Sequence, residues 1–176
     1  MAVFTKININ DISYIENLFN LGKIKIFKGI KKGIENTNYL IRTNNNKYIL
    51  TIFEKRIHGG CKYSDLTFFM KLMSKLSKLK IKCPEPIKNK KGSFIFKLKN
   101  KNACIVTFLK GKDKKQLSAK ECFLVGKNIA KLHKASAKIK LFRKNSFSVQ
   151  SWSTLLNKID NRINKLSKNF KYTMKN

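Results

Sequence analysis

Alternating apolar and polar residues on both sides of a short glycine-containing turn constrain the fold of this chain more than any other feature. The first alternating run covers residues 23–30, the second covers residues 38–43, and Gly33 to Asn38 connects them. A period of two places every second side chain on the same face of a β-strand. Asn44-Asn45-Asn46 then precedes a third run, Lys47 to Phe53. We therefore predict three consecutive antiparallel strands, the first with one face buried.

The remaining periodicity predicts two helices and two further strands. A helix over residues 11–20 begins with Asp11 as its cap, and a helix from Ser64 to Leu79 follows the third strand. Strands are predicted over residues 93–98 and 103–108. The fold class is therefore α+β, with a five-stranded antiparallel sheet and one helix inserted after its third strand.

The last third of the chain is predicted to be helical. Ser118 and Glu121 form a capping box that starts a helix running to Ser136, and another helix starts near Ser151. His133 is expected to be a packed residue rather than a catalytic one. The apolar stripe of the first helix is expected to be buried and contains Cys122, Val125, Ile129 and Leu132, with Ser136 at its end.

The net charge of +31 invites a nucleic-acid-binding interpretation. Only four of the 40 basic residues are arginines, the residue that reads bases by bidentate contacts, and the lysines are spread along the whole chain. Lys, Asn and Ile have A/T-rich codons, so we favour mutational bias over selection for nucleic-acid binding. Nonspecific binding to phosphates at low salt is still expected, and a basic nucleic-acid-binding protein stays open as an alternative.

Other classes of protein are less compatible with the sequence. It contains no run of 18 apolar residues and no apolar signal-peptide core near Met1, so we expect a cytoplasmic protein without a membrane partner. No cysteine pair has a metal-binding or redox spacing, so reduced thiols are expected at Cys61, Cys83, Cys104 and Cys122. We assign no metal ligands and no Ser/His/Asp arrangement, and His58 has no visible partner.

The turn from Gly33 to Asn38 is the one candidate for a phosphate-binding loop. A glycine and short polar side chains can present backbone N–H groups to a phosphate. The same residues also make an ordinary hairpin turn, and from the residues alone we favour the ordinary turn.

Several segments together resemble one family, the homoserine kinases that share the aminoglycoside phosphotransferase and choline kinase fold. The resemblance runs in order along nearly the whole chain. It rests on Met1-Ala2-Val3-Phe4-Thr5, Gly33-Ile34-Glu35-Asn36-Thr37-Asn38-Tyr39, Tyr48-Ile49-Leu50-Thr51-Ile52-Phe53-Glu54-Lys55-Arg56, Cys83-Pro84-Glu85-Pro86-Ile87, Val106-Thr107-Phe108-Leu109-Lys110-Gly111, Val125-Gly126-Lys127-Asn128-Ile129-Ala130-Lys131-Leu132-His133, and Arg143-Lys144-Asn145 with Trp152.

The resemblance implies an enzyme that uses ATP and Mg²⁺ to phosphorylate the hydroxyl of L-homoserine, a step towards threonine. It implies that Gly33, Asn36, Thr37 and Asn38 bind the phosphates. Thr107, Phe108 and Leu109 would lie at the adenine. Thr51 falls where related kinases carry a phosphate-binding lysine, so Lys55 or another lysine would replace that charge.

The resemblance also implies a division into lobes. Residues 1–108 would form a nucleotide-binding small lobe, residues 109–113 a hinge, and residues 114–176 the start of a helical large lobe. The family's His-Gly-Asp loop and its later metal-binding Asp have no counterpart before Asn176, so no catalytic or metal residue is assigned. We therefore expect a truncated homoserine kinase, completed by a second chain or nearly inactive alone. The alternative is a pseudokinase that keeps only the ATP lobe.

Overall fold

The computed structural model describes residues 3–54, 63–145, 149 and 152–153. Its elements, in chain order, are α1 (Ile9–Leu18), β1 (Ile24–Gly29), β2 (Thr37–Thr43), β3 (Lys47–Ile52), α2 (Tyr63–Lys78), β4 (Ile95–Leu98), β5 (Lys101–Thr107) and α3 (Ala119–Ser136). This order confirms the predicted α+β class, with one helix inserted between the third and fourth strands.

The chain divides into two compact units, Met1–Leu141 and Phe142–Asn176. The eight elements named above all lie in the first unit. The helix predicted from Ser151 falls outside the described residues, except for Trp152 and Ser153, which are helical. The lobe boundaries near residues 108 and 114 stay a prediction.

The five strands form one antiparallel sheet in the order β1-β2-β3-β5-β4. In the predicted hairpin between β2 and β3, the backbone N–H of Thr43 donates to the Asn46 carbonyl at 3.0 Å. The turn between β4 and β5 places Lys99 and Asn100 in the left-handed region, with φ of 50° and 59°. Two such residues give a turn whose twist matches that of the flanking strands.

One face of the sheet packs against α1 and forms the main core. The buried side chains of α1 are Ile12 and Ile15, and the edge of the Phe19 ring contacts Phe96 with the ring centroids 5.1 Å apart. The sheet contributes five aliphatic side chains that are fully inaccessible to solvent: Ile41, Leu50, Ile52, Ala103 and Ile105. We call this side of the sheet the α1 face.

The opposite face packs against α2 over the strands β4 and β5. Leu66 and Met70 of the helix contact Ile95, Cys104 and Val106 of the sheet. Burial raises the pKa of the Cys104 thiol to about 12, so this cysteine behaves as a small apolar residue. Cys83, Cys104 and Cys122 are free thiols, and Cys61 lies outside the described residues.

Two helix starts differ from the predictions. The cap of α1 is Asn8 rather than Asp11, and the two residues form a reciprocal capping box with N–H to oxygen distances of 2.8 and 3.1 Å. Asp11 is the third residue of the helix, where its carboxylate reaches back to the Asn8 N–H. Helix α2 begins at Tyr63, so Ser64 lies inside the helix instead of capping it.

The prediction that β1 buries one face was wrong. Only Ile24 is buried in this strand, and Ile26 and Phe27 are exposed. The physical reason is its position at the edge of the sheet, where β2 is its single neighbouring strand. A bulge between Ile24 and Ile26 also interrupts its register with β2.

Helix α3 forms as predicted, but its predicted buried stripe is exposed. Ser118 caps the helix, and its backbone N–H donates to the Glu121 carboxylate at 3.0 Å. Hydrogen bonds from Lys114 and Ser118 lower the pKa of Glu121. Ala135 is the one buried residue of α3, so His133 is exposed and the expectation of a packed histidine was wrong. The exposed stripe residues are Cys122, Val125, Ile129, Leu132 and Ser136.

Candidate nucleotide site

The sheet face opposite α1 carries the candidate site on β1, β2 and β3. Directly opposed residues of antiparallel strands project from the same face, so the register fixes the neighbours on this face. One row across the strands contains Lys28, Leu40, Ile49 and Val106. The row on its loop side contains Asn38, Thr51 and Cys104. The row on its other side contains Ile26, Arg42 and Lys47.

Three aliphatic side chains on this face form an accessible apolar surface. Ile26 is 47% exposed, and Leu40 and Ile49 are half-buried. We call these three residues the open strip. They are suited to contact a flat apolar group because β-branched and leucine side chains on neighbouring strands make a continuous surface.

The loop of residues 30–36 connects β1 and β2 at one end of the open strip. The backbone N–H of Ile30 donates to the Asn38 carbonyl at 2.8 Å and closes the base of the loop. Gly33 has a φ of 147°, a backbone conformation that side-chain-bearing residues rarely adopt. Ile34 is 86% exposed at the tip. The glycine is therefore required by the shape of this loop.

Hydrogen bonds join the end of the loop to β3 on the same face as the open strip. The Thr51 hydroxyl donates to Asn38 Oδ1 at 2.7 Å, and Asn38 Nδ2 donates to the Asn36 carbonyl at 3.4 Å. Asn36 Oδ1 accepts from the Glu54 backbone N–H at 3.3 Å. Thr51 therefore orients the Asn38 amide, although it brings no charge, and the Glu54 N–H orients the Asn36 amide.

Thr37 occupies the same segment, but its side chain points to the α1 face. Its hydroxyl oxygen accepts from the backbone N–H groups of Phe4 and Thr5, at 2.9 and 3.1 Å. The hydroxyl donates to Glu54 Oε1 at 2.7 Å, and the residue is fully buried. The Thr37 side chain is therefore held on the α1 face and does not point to the open strip.

Glu54 is the centre of a buried polar cluster on the α1 face. Besides Thr37, the Thr5 hydroxyl donates to Glu54 Oε1 at 2.5 Å, and Lys101 Nζ pairs with Oε2. Only 5% of the Glu54 side chain is exposed. Burial alone would raise the pKa of Glu54, but the hydrogen bonds from Lys101, Thr5 and Thr37 and the lysine charge together lower it.

The predicted hinge residues lie at the end of β5. Thr107 is bound to the preceding loop, because its N–H donates to the Glu85 carbonyl and its hydroxyl oxygen accepts from the Glu85 N–H, both at 2.9 Å. The Phe108 N–H donates to the Lys47 carbonyl at 3.1 Å, and the Lys47 ammonium lies 5.8 Å from the centre of the Phe108 ring. Leu109 is 47% exposed. These contacts fix the start of the segment that the resemblance assigns to adenine.

The described residues contain no cluster of candidate metal ligands. Among them, no group of three or more His, Cys, Asp or Glu side chains lies close enough together to hold a metal ion. Asp113 forms an ion pair with Lys32 of the loop at 3.3 Å, but both side chains are at least 90% exposed.

The part of the chain that the structure describes also has no helix long and apolar enough to cross a membrane.

Comparison with known proteins places this architecture in a family. A profile of the phosphotransferase enzyme family matches residues 26–166, which include most of β1, the other four strands, α2 and α3. The chain belongs to the phosphotransferase enzyme family. Among solved structures, a spectinomycin phosphotransferase determined with ADP and spectinomycin matches with a TM-score of 0.64 and 17% identity, covering 90% of this chain and 48% of that protein. A microcompartment-associated aminopropanol kinase matches with a TM-score of 0.60 and 11% identity, covering 93% and 58%.

Curated relatives of this phosphotransferase family member are considerably more similar in sequence. The homoserine kinase of Parvibaculum lavamentivorans is 36% identical over 155 residues, and that of Bartonella tribocorum is 38% identical over 155 residues. Each match covers 88% of this chain and 47% of the relative. The chain therefore spans about half the length of the curated relatives that it matches.

Sequence reasoning did not identify every residue that builds this candidate site. The open strip was missed because its members come from three strands, and only the register shows that Ile26, Leu40 and Ile49 share a face. The alternation within β2 and β3 was a usable signal for two of them. The contacts of Glu54 with Thr5 and Lys101 join residues 49 and 47 positions apart, and no local pattern reveals them.

Proposed function

We propose that this chain is the ATP-binding part of a homoserine kinase, which transfers the γ-phosphoryl group of ATP to the hydroxyl of L-homoserine in cytoplasmic threonine biosynthesis. The observation that supports this proposal is the identity of 33–38% to curated homoserine kinases over 155–166 residues. The two solved structures named above, at 17% and 11% identity, support the fold alone. Because the chain spans about half of those relatives, turnover is proposed for the complete enzyme.

In this proposal the adenine lies against the open strip and beside the backbone of Phe108 and Leu109. The support is chemical, since a flat base is buried by aliphatic side chains and recognised by a few backbone groups. The phosphates lie at the loop of residues 30–36, where Gly33 allows close approach of the backbone and Asn36 and Asn38 supply side-chain amides.

Lys28 is our candidate for the positive charge that Thr51 does not supply. In the register it stands opposite Leu40, on the face of the open strip and one row from Asn38. A flexible lysine there can reach a phosphate bound at the loop as a point charge. Lys55, the residue considered from the sequence, lies outside the described residues.

Phosphoryl transfer depends on positioning and on neutralising the charge that develops on the phosphate oxygens. The residues described here would bind and orient ATP, and none of them is proposed as the catalytic base or as a ligand of Mg²⁺. Those groups would come from a helical lobe that starts after the hinge at residues 109–113, or from a second chain. The exposed side chains of Phe123, Val125 and Ile129 on α3 are consistent with packing against such a lobe.

The test is to measure nucleotide binding and phosphotransfer separately. We expect the chain to bind ATP by calorimetry and to phosphorylate homoserine only when mixed with the remaining half of a related homoserine kinase, such as that of Bartonella tribocorum. Failure to bind ATP would contradict the proposed site. Preference of the mixture for serine or another alcohol would contradict the proposed substrate, and ATP binding without transfer in every mixture would favour the pseudokinase.

A further inference from the structure

The N-terminal segment Val3–Ile7 contacts both ends of the loop of residues 30–36. At the first end, a Cβ added to Gly29 would lie 2.8 Å from Cγ2 of Val3, so Val3 is in close contact with the last residue of β1. At the second end, the N–H groups of Phe4 and Thr5 donate to the Thr37 hydroxyl, on the first residue of β2. One short segment therefore restrains both strands where they enter the loop.

The same segment is fixed further along by Tyr39. The Tyr39 hydroxyl donates to the Thr5 carbonyl at 2.9 Å and accepts from the Ile7 N–H at 3.3 Å. Tyr39 is buried, and it pairs directly with Gly29 in the sheet. The position of the segment over Gly29 is therefore set by a hydrogen-bonded side chain as well as by packing.

Glu54 and Lys101 join this segment to the centre of the sheet. The Glu54 carboxylate accepts from the hydroxyls of both Thr5 and Thr37, and Lys101 donates to Glu54 and, at 2.7 Å, to the Thr5 hydroxyl. Glu54 lies two residues after the end of β3, and Lys101 begins β5. These contacts lie on the α1 face, whereas the open strip lies on the opposite face.

We propose that Val3–Ile7, Thr37, Glu54 and Lys101 form a clamp that holds the phosphate-binding loop in position from the side of the sheet opposite the nucleotide. The inference rests on the proposed function, because it assigns the loop to phosphate. Glu54 is a positioning residue in this arrangement and does not touch the ligand. Loops that are ordered before binding lose less conformational entropy when the ligand arrives, so the clamp increases affinity for the phosphates.

The first test measures the loop without any nucleotide. Hydrogen exchange of the Ile30 amide, which is hydrogen-bonded at the base of the loop, is compared for the unaltered chain, Glu54→Gln and Thr37→Val. We expect roughly tenfold faster exchange in Glu54→Gln, the size that follows from losing one hydrogen bond to a charged group. The effect of Thr37→Val should be at least as large, because this change removes all three hydrogen bonds of the Thr37 hydroxyl. Thr37→Ser keeps the hydroxyl, so it should exchange at nearly the original rate. Unchanged loop exchange in folded Glu54→Gln and Thr37→Val would overturn the clamp.

Asp11→Asn is the matched control for Glu54→Gln. Asp11 is also a carboxylate with little exposure, it pairs with Lys99 of the neighbouring turn at 3.1 Å, and it accepts from a backbone N–H. Loss of the Asp11 charge should destabilise α1. The loop should then exchange no faster than the lower global stability of this variant requires. Equal acceleration of the loop in Asp11→Asn would mean that Glu54 acts only through general stability, which would also overturn the clamp.

The second variant acts at the other end of the loop and avoids the buried charge. Gly29→Ala introduces a methyl group that must displace Val3, and Val3→Ala makes room for it. We expect faster loop exchange in Gly29→Ala and recovery in the double variant. If Gly29→Ala and the double variant both exchange as slowly as the unaltered chain, Val3 does not restrain the loop. This comparison still tests the clamp if Glu54→Gln fails to fold.

The last measurement links the clamp to phosphate binding. Affinities for ATP and for adenosine are measured for each variant by calorimetry. We expect Glu54→Gln to lower affinity for ATP about tenfold and to leave affinity for adenosine unchanged, because the phosphates alone contact the loop. Parallel loss of both affinities would refute the positioning role. If the unaltered chain does not prefer ATP to adenosine, the proposed function fails, while the exchange data still decide whether the clamp exists.

Discussion

The two faces of the sheet differ in how completely helices cover them. On the α1 face, Ile41, Leu50 and Ile52 are fully inaccessible, and the polar groups near the loop bind each other. On the opposite face, α2 covers β4 and β5, and Ile49 packs partly against the cluster beneath it, while Ile26, Leu40 and the rest of Ile49 keep solvent contact. The α1 face supplies the burial that stabilises the fold. The uncovered part of the opposite face leaves apolar surface available for a ligand.

Neighbouring residues of β3 give the largest contrast between the faces. Leu50 points to the α1 face and Ile49 to the opposite face. Because Leu50 is fully buried, Leu50→Ala should lower the free energy of unfolding by about 2–5 kcal/mol. Ile49→Ala should cost less, because part of its side chain is already in contact with water. Urea denaturation of the two variants measures the difference. Equal losses would mean that the two faces contribute equally to stability.

The polar cluster around Glu54 makes the stability contributed by the α1 face dependent on pH. The folded pKa of Glu54 lies below its usual value of 4.5, so its contribution to stability is complete above that value and is lost as the pH falls through the folded pKa. Lys101, Thr5 and Thr37 are the groups that face the carboxylate. The melting temperature of the unaltered chain should therefore fall more steeply below pH 4.5 than that of Glu54→Gln. Parallel curves would show that Glu54 titrates alike in the folded and unfolded states.

Shortening an open-strip side chain should affect binding more than folding. Leu40→Ala removes part of the proposed adenine surface, and we expect about a fivefold loss of affinity for adenosine, since roughly half of a leucine side chain is worth about 1 kcal/mol. Phe27→Ala is the control, because Phe27 is similarly exposed but its ring lies 6.4 Å from that of Tyr39 on the α1 face. If Leu40→Ala and Phe27→Ala lower the affinity for adenosine equally, the adenine does not bind at the open strip.

The smallest expected effect concerns the charge beside the open strip. Lys28→Gln should weaken ATP binding about threefold and leave adenosine binding unchanged, a typical value for one solvent-exposed ion pair. Lys91→Gln changes the net charge equally in the loop before β4, the strand at the opposite edge of the sheet from β1, and it should leave both affinities unaltered. If both variants weaken ATP binding alike, the attraction comes from the overall charge of the protein and not from Lys28.

Local sequence patterns predicted the elements of the fold well. The strands, the two connecting hairpins and the capping box at Ser118 depend on residues close together in sequence, and each was confirmed. The start of α1 was misplaced because Asn8 and Asp11 both suit a cap, and only the geometry shows that they cap reciprocally. Local propensity does not distinguish two polar residues three positions apart.

Burial was predicted less well because it depends on what an element packs against. The apolar stripe of α3 has the period of a buried helix, yet Val125 and Ile129 are exposed in this chain. The candidate site shows the same dependence. The loop containing Gly33 was identified from its composition, whereas the orientation of Thr37 towards Glu54 follows from the pairing of β2 with β3.

The position of β1 at the edge of the sheet bears on how the protein behaves at high concentration. An edge strand presents backbone N–H and C=O groups that can pair with the same strand of another molecule and begin aggregation. Lys23, Lys25 and Lys28 are exposed along this edge, and like charges on two approaching copies repel each other. The high lysine content thus protects the chain against self-association, and acetylation of these lysines or high salt would weaken that protection.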